Sequence, residues 1–217
     1  MAHVFIIGAT GGVGQRLIPL LQDRGHAVSG LHRKPEQADD LRAKGVTPVA
    51  GDLMQMDEAA MTAALKGADV VVFSAGAAGS GQDRATVIDG DGPIKMLAAA
   101  RANGIRRLLV VSVFPEAGRT KDLGAAFEHY MTQKKRADVA IAASDLDWVL
   151  LRPGTLKDDD GDGHVTLGRA IAYGDVARGH VAGVLAELVE TPAIRQEALE
   201  LTDGTTPVPQ AVAAMVR

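Results

Sequence analysis

Short, nearly unbroken apolar runs alternate along this chain with longer stretches whose apolar positions recur at helical spacing. The runs Val4–Ile7, His26–Leu31, Val46–Ala50, Asp69–Phe73, Arg107–Ser112 and Trp148–Leu151 read as strands. Between them the spacing predicts helices over 15–23, 36–44, 57–66, 83–103 and 123–143. Asp57 is a candidate cap for the third of these, and Gly104 stops the fourth. Strands of continuous Val, Leu and Ile are buried on both faces, which points to a parallel sheet with helices on each side. Right-handed crossovers then give an α/β, doubly wound sheet with its ligands at the carboxyl ends of the strands.

Beyond Arg152-Pro153-Gly154 the pattern loosens. An acidic loop covers 157–164, followed by a short strand over 165–167, a helix over 175–190, a strand over 198–201 and a last helix over 208–216. About 60 residues are too few for a second domain. Residues 1–217 are expected to form one domain, with 154–217 contributing a small cap on the substrate side.

The connection between the first strand and first helix is the run Gly8-Ala9-Thr10-Gly11-Gly12-Val13-Gly14. A glycine-spaced turn there lets a dinucleotide pyrophosphate lie against main-chain N–H groups at a helix N-terminus. Gly8 makes the tight turn, Gly11 clears space for the phosphates, and Gly14 lets the helix pack close to the strand. The second strand ends in Leu31-His32-Arg33-Lys34, without the acid that holds an unphosphorylated adenosine ribose. Arg33 offers a planar, permanently charged fork to a 2′-phosphate, with Lys34 as a point charge beside it. NADP(H) is therefore preferred as cofactor, and NAD(H) stays open. Asp52, after the third strand, is placed to accept from the adenine amino group. Ser74-Ala75-Gly76, after the fourth, is small enough for close approach of the adenosine and bridging ribose.

Tyr130 and Lys134 are four apart and share a helix face. The cation favours the phenolate and is expected to lower the tyrosine pKa toward working pH, and Lys134 can also hold the nicotinamide ribose. Ser112, closing the fifth strand, can bond a carbonyl oxygen that receives hydride while Tyr130 donates the proton.

With these residues the chain resembles the atypical short-chain dehydrogenase/reductase family, nearest its NmrA-like and flavin/biliverdin-reductase-like NAD(P)-binding Rossmann members. The matching pieces are Gly8–Gly14, Gly51-Asp52-Leu53, Val110-Val111-Ser112 and Asp147–Gly154, so the resemblance covers essentially the whole chain. It implies a cofactor site lined by Gly8, Thr10, Gly11, Gly12, Val13, Gly14, Arg33, Lys34, Asp52, Leu53, Ser74, Ala75, Gly76 and Pro153. Ser112, Tyr130 and Lys134 would stand at the nicotinamide end, with Pro153 and Gly154 bordering the substrate loop.

The net charge of −4 and the 3% aromatic content supply neither the basicity nor the stacking platforms that nucleic acid requires. Cysteine is absent, which removes disulfides, thiolate metal sites and a cysteine nucleophile. No apolar run reaches the ~20 residues of a membrane span, and no leader is evident, so a cytoplasmic location is expected. Asp158–Gly163 starts like a calcium loop, but its twelfth position is Arg169. His164 and His180 lack metal-ligand spacing, and no metal is expected. Three functions follow. The first is an NADP(H)-dependent oxidoreductase passing hydride to a small carbonyl or conjugated substrate. The second is a non-catalytic, dinucleotide-sensing protein that binds a partner. The third is a nicotinamide-dependent epimerase or isomerase, against which the small cap counts. The partner of the first is a small-molecule substrate, and the long helices leave monomer and homodimer open.

Overall fold

The computed structural model describes residues 1–119 and 121–217. Six parallel strands form in chain order: β1 (His3–Ile7), β2 (Ala27–His32), β3 (Thr47–Ala50), β4 (Val70–Phe73), β5 (Arg107–Val111) and β6 (Asp147–Pro153). They are linked by helices α1 (Gly12–Gln22), α2 (Pro35–Ala43), α3 (Glu58–Ala64), α4 (Gln82–Arg84), α5 (Gly92–Ala102) and α6 (Gly124–Ala142). After β6 come β7 (Thr155–Lys157), β8 (His164–Gly168), β9 (Asp175–Ala177), α7 (Arg178–Glu190), β10 (Glu197–Asp203), β11 (Thr206–Pro207) and α8 (Val208–Ala213).

The main sheet has the order β11-β8-β10-β6-β5-β4-β1-β2-β3. From β3 to β10 every pairing is parallel, and at the far edge β8 runs antiparallel to both of its neighbours, β10 and β11. Chain order reverses between β1 and β4, which opens a ligand crevice at the carboxyl ends of those two strands. The doubly wound α/β sheet expected from the apolar runs is what forms.

Alternation within each strand explains why the runs are unbroken. Val4 and Ile6 of β1 pack with Leu17, Leu21 and Leu185 on one face of the sheet. Phe5 and Ile7 pack with Met96, Leu108 and Ile141 on the other. Each apolar side chain buried in full contributes about 1.5–3 kcal/mol, so both faces of β1 are apolar along Val4–Ile7.

Four elements differ from the sequence pattern. Helix α1 begins at Gly12, inside the glycine run, with Gly11 in extended conformation as its cap residue. The expected helix over 83–103 is interrupted by a π-helical stretch, Ala85–Asp91. Residues 175–177, read as helix, instead pair with β7 as a two-stranded parallel sheet. Finally, 154–217 does more than cap. Strands β8, β10 and β11 extend the main sheet, and α7 packs against α1. Only β7, β9 and their loops stand at the carboxyl edge.

Candidate dinucleotide and catalytic site

The glycine turn is built on missing side chains. Gly8 has φ +104°, and a Cβ there would lie 2.6 Å from the Ala75 nitrogen and 2.9 Å from the Ser74 hydroxyl. The ends of β1 and β4 therefore touch through backbone. A Cβ on Gly14 would overlap the Gly8 carbonyl and come within 2.7 Å of Ala9 Cα, so helix and strand close on each other as the spacing implied. Gly11 donates to Gly8 O at 3.0 Å, and the first helical bond runs from Gln15 to Gly11 O at 2.9 Å. The amides of Gly12, Val13 and Gly14 thus occupy the orphan positions of α1. Gly11 and Gly12 are exposed. This cradle fits a pyrophosphate and would reject a side chain.

Around it the other expected residues gather at the same edge. Gln37 Oε1 accepts from the amides of Arg33 at 3.1 Å and Lys34 at 3.0 Å, which fixes the loop after β2. Lys34 stands 3.9 Å from Glu36, while Arg33 has no acidic partner among the described residues. His32 is buried, with its ring nitrogen 3.0 Å from Lys34 O. Asp52 accepts from Met54 N at 3.0 Å, closing a turn, and Leu53 packs at the margin of the core. Thr10 lines, with Ala9, Gln15 and Gln37, a cavity of about 360 Å³ between α1 and α2. Pro153 ends β6, and a Cβ on its neighbour Gly154 would overlap the Gly174 carbonyl.

At the other end of the crevice lies a buried charge group. Lys134, 5% exposed, donates to Val111 O at 3.1 Å and stands 3.2 Å from the fully buried Asp89 carboxylate. Asp89 also accepts from Ala77 N at 3.0 Å, tying the lysine to the loop that follows Ser74-Ala75-Gly76. The π-helical stretch is what carries Asp89 here, and α6 packs so tightly on it that a Cβ on Gly90 would meet Gln133 Oε1 at 2.6 Å. Nζ lies 6.0 Å from the Tyr130 ring centre.

Tyr130 departs from expectation in its acidity. Burial pushes the phenol above its ordinary value, and Asp89 and Asp138 add to that. The Lys134 cation pulls the other way and does not outweigh them, because its own charge is largely answered by Asp89. Burial opposes the Lys134 charge as well, but Tyr130, Asp89 and Asp138 together hold the ammonium above its ordinary value.

Ser112 is placed differently from the simple reading. Its hydroxyl donates to Asp138 Oδ1 at 2.6 Å, and Asp138 Oδ2 accepts from Arg152 at 2.9 and 3.2 Å. No bond links Ser112 to Tyr130 among the described residues. Asp89, Asp138 and Arg152 were not singled out by sequence reasoning. Asp138 had a signal, since 130, 134 and 138 form one helical stripe. Asp89 had none, because a π-helical register shift is invisible in residue spacing.

Comparison with known proteins accords with this geometry. A family model described as NAD(P)H-binding matches residues 8–192. The chain belongs to this NAD(P)H-binding family. It is 35% identical over 96% of its length to a Bacillus subtilis protein named as an uncharacterized sugar epimerase, YhfK, 98% of which is covered. A Bacillus halodurans structure, provisionally named as an NAD-dependent epimerase/dehydratase, superposes with a TM-score of 0.88 at 30% identity, over 99% of this chain and 100% of that one. ChuY, an anaerobillin reductase of Escherichia coli O157:H7, superposes with a TM-score of 0.77 at 25% identity, over 93% and 97%. The resemblance to NAD(P)-binding Rossmann proteins is thereby established. No helix among the described residues is long and apolar enough to cross a membrane, and no cluster there can hold a metal ion.

Proposed function

We propose that this NAD(P)H-binding protein is an NADPH-preferring reductase of a small carbonyl or conjugated substrate, with Tyr130 as proton donor. The observation that carries this reading is the buried Tyr130–Lys134–Asp89 group at the other end of the crevice from the glycine turn. When bound, the reduced nicotinamide supplies a hydride. Gly8, Gly11, Gly12, Val13 and Gly14 hold its pyrophosphate, Ser74, Ala75 and Gly76 its adenosine side, and Arg33 with Lys34 a 2′-phosphate.

Tyr130 keeps its proton at neutral pH because burial holds its pKa up. A protonated phenol gives a proton and does not take one, so the resting state suits reduction rather than oxidation. Lys134 has three N–H donors. Val111 O engages one and Asp89 pairs with the charge at 3.2 Å, leaving a donor to orient a ribose hydroxyl or to stabilise charge developing on Tyr130. Ser112 is held by Asp138, so donating to a substrate oxygen requires it to rotate away.

Four of the chain's seven aromatic side chains support the conjugated-substrate reading by where they stand. Phe127 and Tyr130 lie 6.1 Å apart between ring centres, and Phe114 meets Tyr173 edge-on at 5.3 Å. Tyr173 is 47% exposed, so the group keeps an open apolar face.

The name carried by the Bacillus subtilis relative, which has nearly the same extent as this chain, removes chain length as a reason against the epimerase reading. The protonation state of Tyr130 keeps reduction first. In an NADPH-oxidation assay over carbonyls, quinones and flavins, Tyr130→Phe should lose about 10²–10⁴-fold in turnover and keep its NADPH affinity. Undiminished turnover removes Tyr130 as the acid. Absence of turnover on every substrate, with NADPH still bound, favours the sensing function.

A further inference from the structure

The acidic run Asp158–Gly163 takes no part in the function proposed above, yet it lies across the first turns of both α1 and α7. Its backbone is docked independently of the Asp158 and Asp160 carboxylates. Gly179 N donates to Asp159 O at 3.0 Å, and a Cβ on Gly179 would overlap the Asp160 carbonyl. Gly163 N donates at 3.0 Å to Nε2 of buried His180, whose Nδ1 is 2.7 Å from Asp203.

The carboxylates reach two arginines. Arg16 Nε donates to Asp160 at 2.6 Å and Arg16 Nη1 to Asp158 at 3.1 Å, while Arg178 Nη1 stands 3.7 Å from Asp158. Both arginines press on the glycine turn. Arg16 Nη1 also donates to Gly12 O at 3.0 Å, and a Cβ on Gly12 would lie 2.6 Å from Arg178 Cδ. The pairs are lopsided. The Arg16 and Arg178 side chains are 26% and 30% exposed, whereas Asp158 and Asp160 are 77% and 86% exposed. The cations belong to the floor of the site, and the anions reach in from solvent.

We propose that Arg16 and Arg178 form a second anion-binding element for the cofactor's pyrophosphate, occupied by Asp158 and Asp160 as internal counterions until the phosphates arrive. The proposal rests on the dinucleotide site described above. The three orphan amides of α1 answer only part of a dianion, and two guanidinium groups at Gly12 supply fixed charge where the diphosphate must pass. Exposed carboxylate–arginine pairs are weak, so a doubly charged group displaces them readily. Because the loop backbone is held by Gly179 and His180, release needs only side-chain rotation. If the aspartates instead served to aim the arginines, neutralising them would have the opposite effect on affinity.

Calorimetry on the full chain with NADPH, and with ADP-ribose as a probe lacking nicotinamide, separates these cases. Asp158→Asn/Asp160→Asn should tighten both ligands about three- to tenfold, in line with removing weak exposed ion pairs. Arg178→Gln should weaken both about fivefold or more, Arg178→Lys should restore part of the loss, and Arg16→Gln should act in the same direction. Thermal unfolding checks each variant, and if Arg16→Gln does not fold, the other variants decide. Unchanged or weaker binding by the aspartate variant overturns the proposal, as does unchanged binding by Arg178→Gln. A wild type that binds neither NADPH nor NADH overturns the cofactor site and this element with it. A wild type that binds, with variants that do not differ from it, overturns the arginine element alone.

Discussion

Replacing Lys134 by methionine keeps the length and apolar stem of the side chain and removes the only cation within bonding distance of Asp89 among the described residues. The carboxylate left behind is fully buried, retaining one backbone donor at Ala77. Breaking a buried pair in this way costs about 3–5 kcal/mol, because the remaining charge is uncompensated. For a chain of this size that is a fall in Tm of roughly 6–20 °C. The loss is read from urea unfolding. Asp89→Asn/Lys134→Met should recover about 2–3 kcal/mol relative to the sum of the single changes. A loss below about 1 kcal/mol would mean that Lys134 is solvated and free, and the case for a fixed catalytic ammonium would collapse.

Arg33→Ala should weaken NADPH binding about 10- to 100-fold, the range expected for losing hydrogen bonds to a charged phosphate, and leave NADH unchanged; equal effects on both cofactors would remove the 2′-phosphate role. Reduction catalysed by the wild type should hold its rate through neutral pH and fall only above the ordinary phenol value of about 10, because burial raises the Tyr130 pKa and an acid works only while protonated. A rate that declines between pH 7 and 9 would point to another donor. Arg107 donates to the carbonyls of Ile194 at 2.5 Å and Leu188 at 2.7 Å, and burial lowers its pKa to about 10. Arg107→Met should cost about 3 kcal/mol or more by stranding these acceptors at the end of α7, read from the urea midpoint with the cofactor affinity unaltered.

The fold was legible because its rule is simple. A parallel sheet covered on both faces makes each strand an unbroken apolar run, and β1, β4 and β5 are such runs. The glycine turn was legible for a related reason: glycine is needed at Gly8 and Gly14, where Cβ atoms would strike Ala75, Gly8 O and Ala9. Legibility failed where tertiary contact overrode local pattern. Residues 175–177 carry a helical pattern but pair with β7, since Thr155–Lys157 presents an open edge beside them. The acidity of Tyr130 was misjudged because the Tyr–Lys spacing shows the cation and hides the anion. Asp89 sits 45 residues away in the chain and reaches Lys134 only through the π-helical stretch. The hydroxyl of Ser112 was similarly assigned to the crevice before Asp138, on the next turn of the same stripe, was seen to hold it.

The two ends of the crevice are therefore specified by opposite means, and they should respond to change in opposite ways. The glycine-turn end works by absence, so added atoms are what it cannot accept. A methyl at Gly14 would collide with the Gly8 carbonyl, and the overpacking cost of about 1–3 kcal/mol exceeds the ~1 kcal/mol that alanine gains over glycine in a helix. The Tyr130–Lys134 end holds matched buried charge, so there the loss of a partner is costly and added bulk is secondary. Asp89 joins them physically, since one oxygen faces Lys134 and the other holds the amide of Ala77, just past the adenosine-side loop. A change at Asp89 should accordingly disturb cofactor affinity and proton donation together. Changes at Gly14 or at Tyr130 should disturb only one of the two.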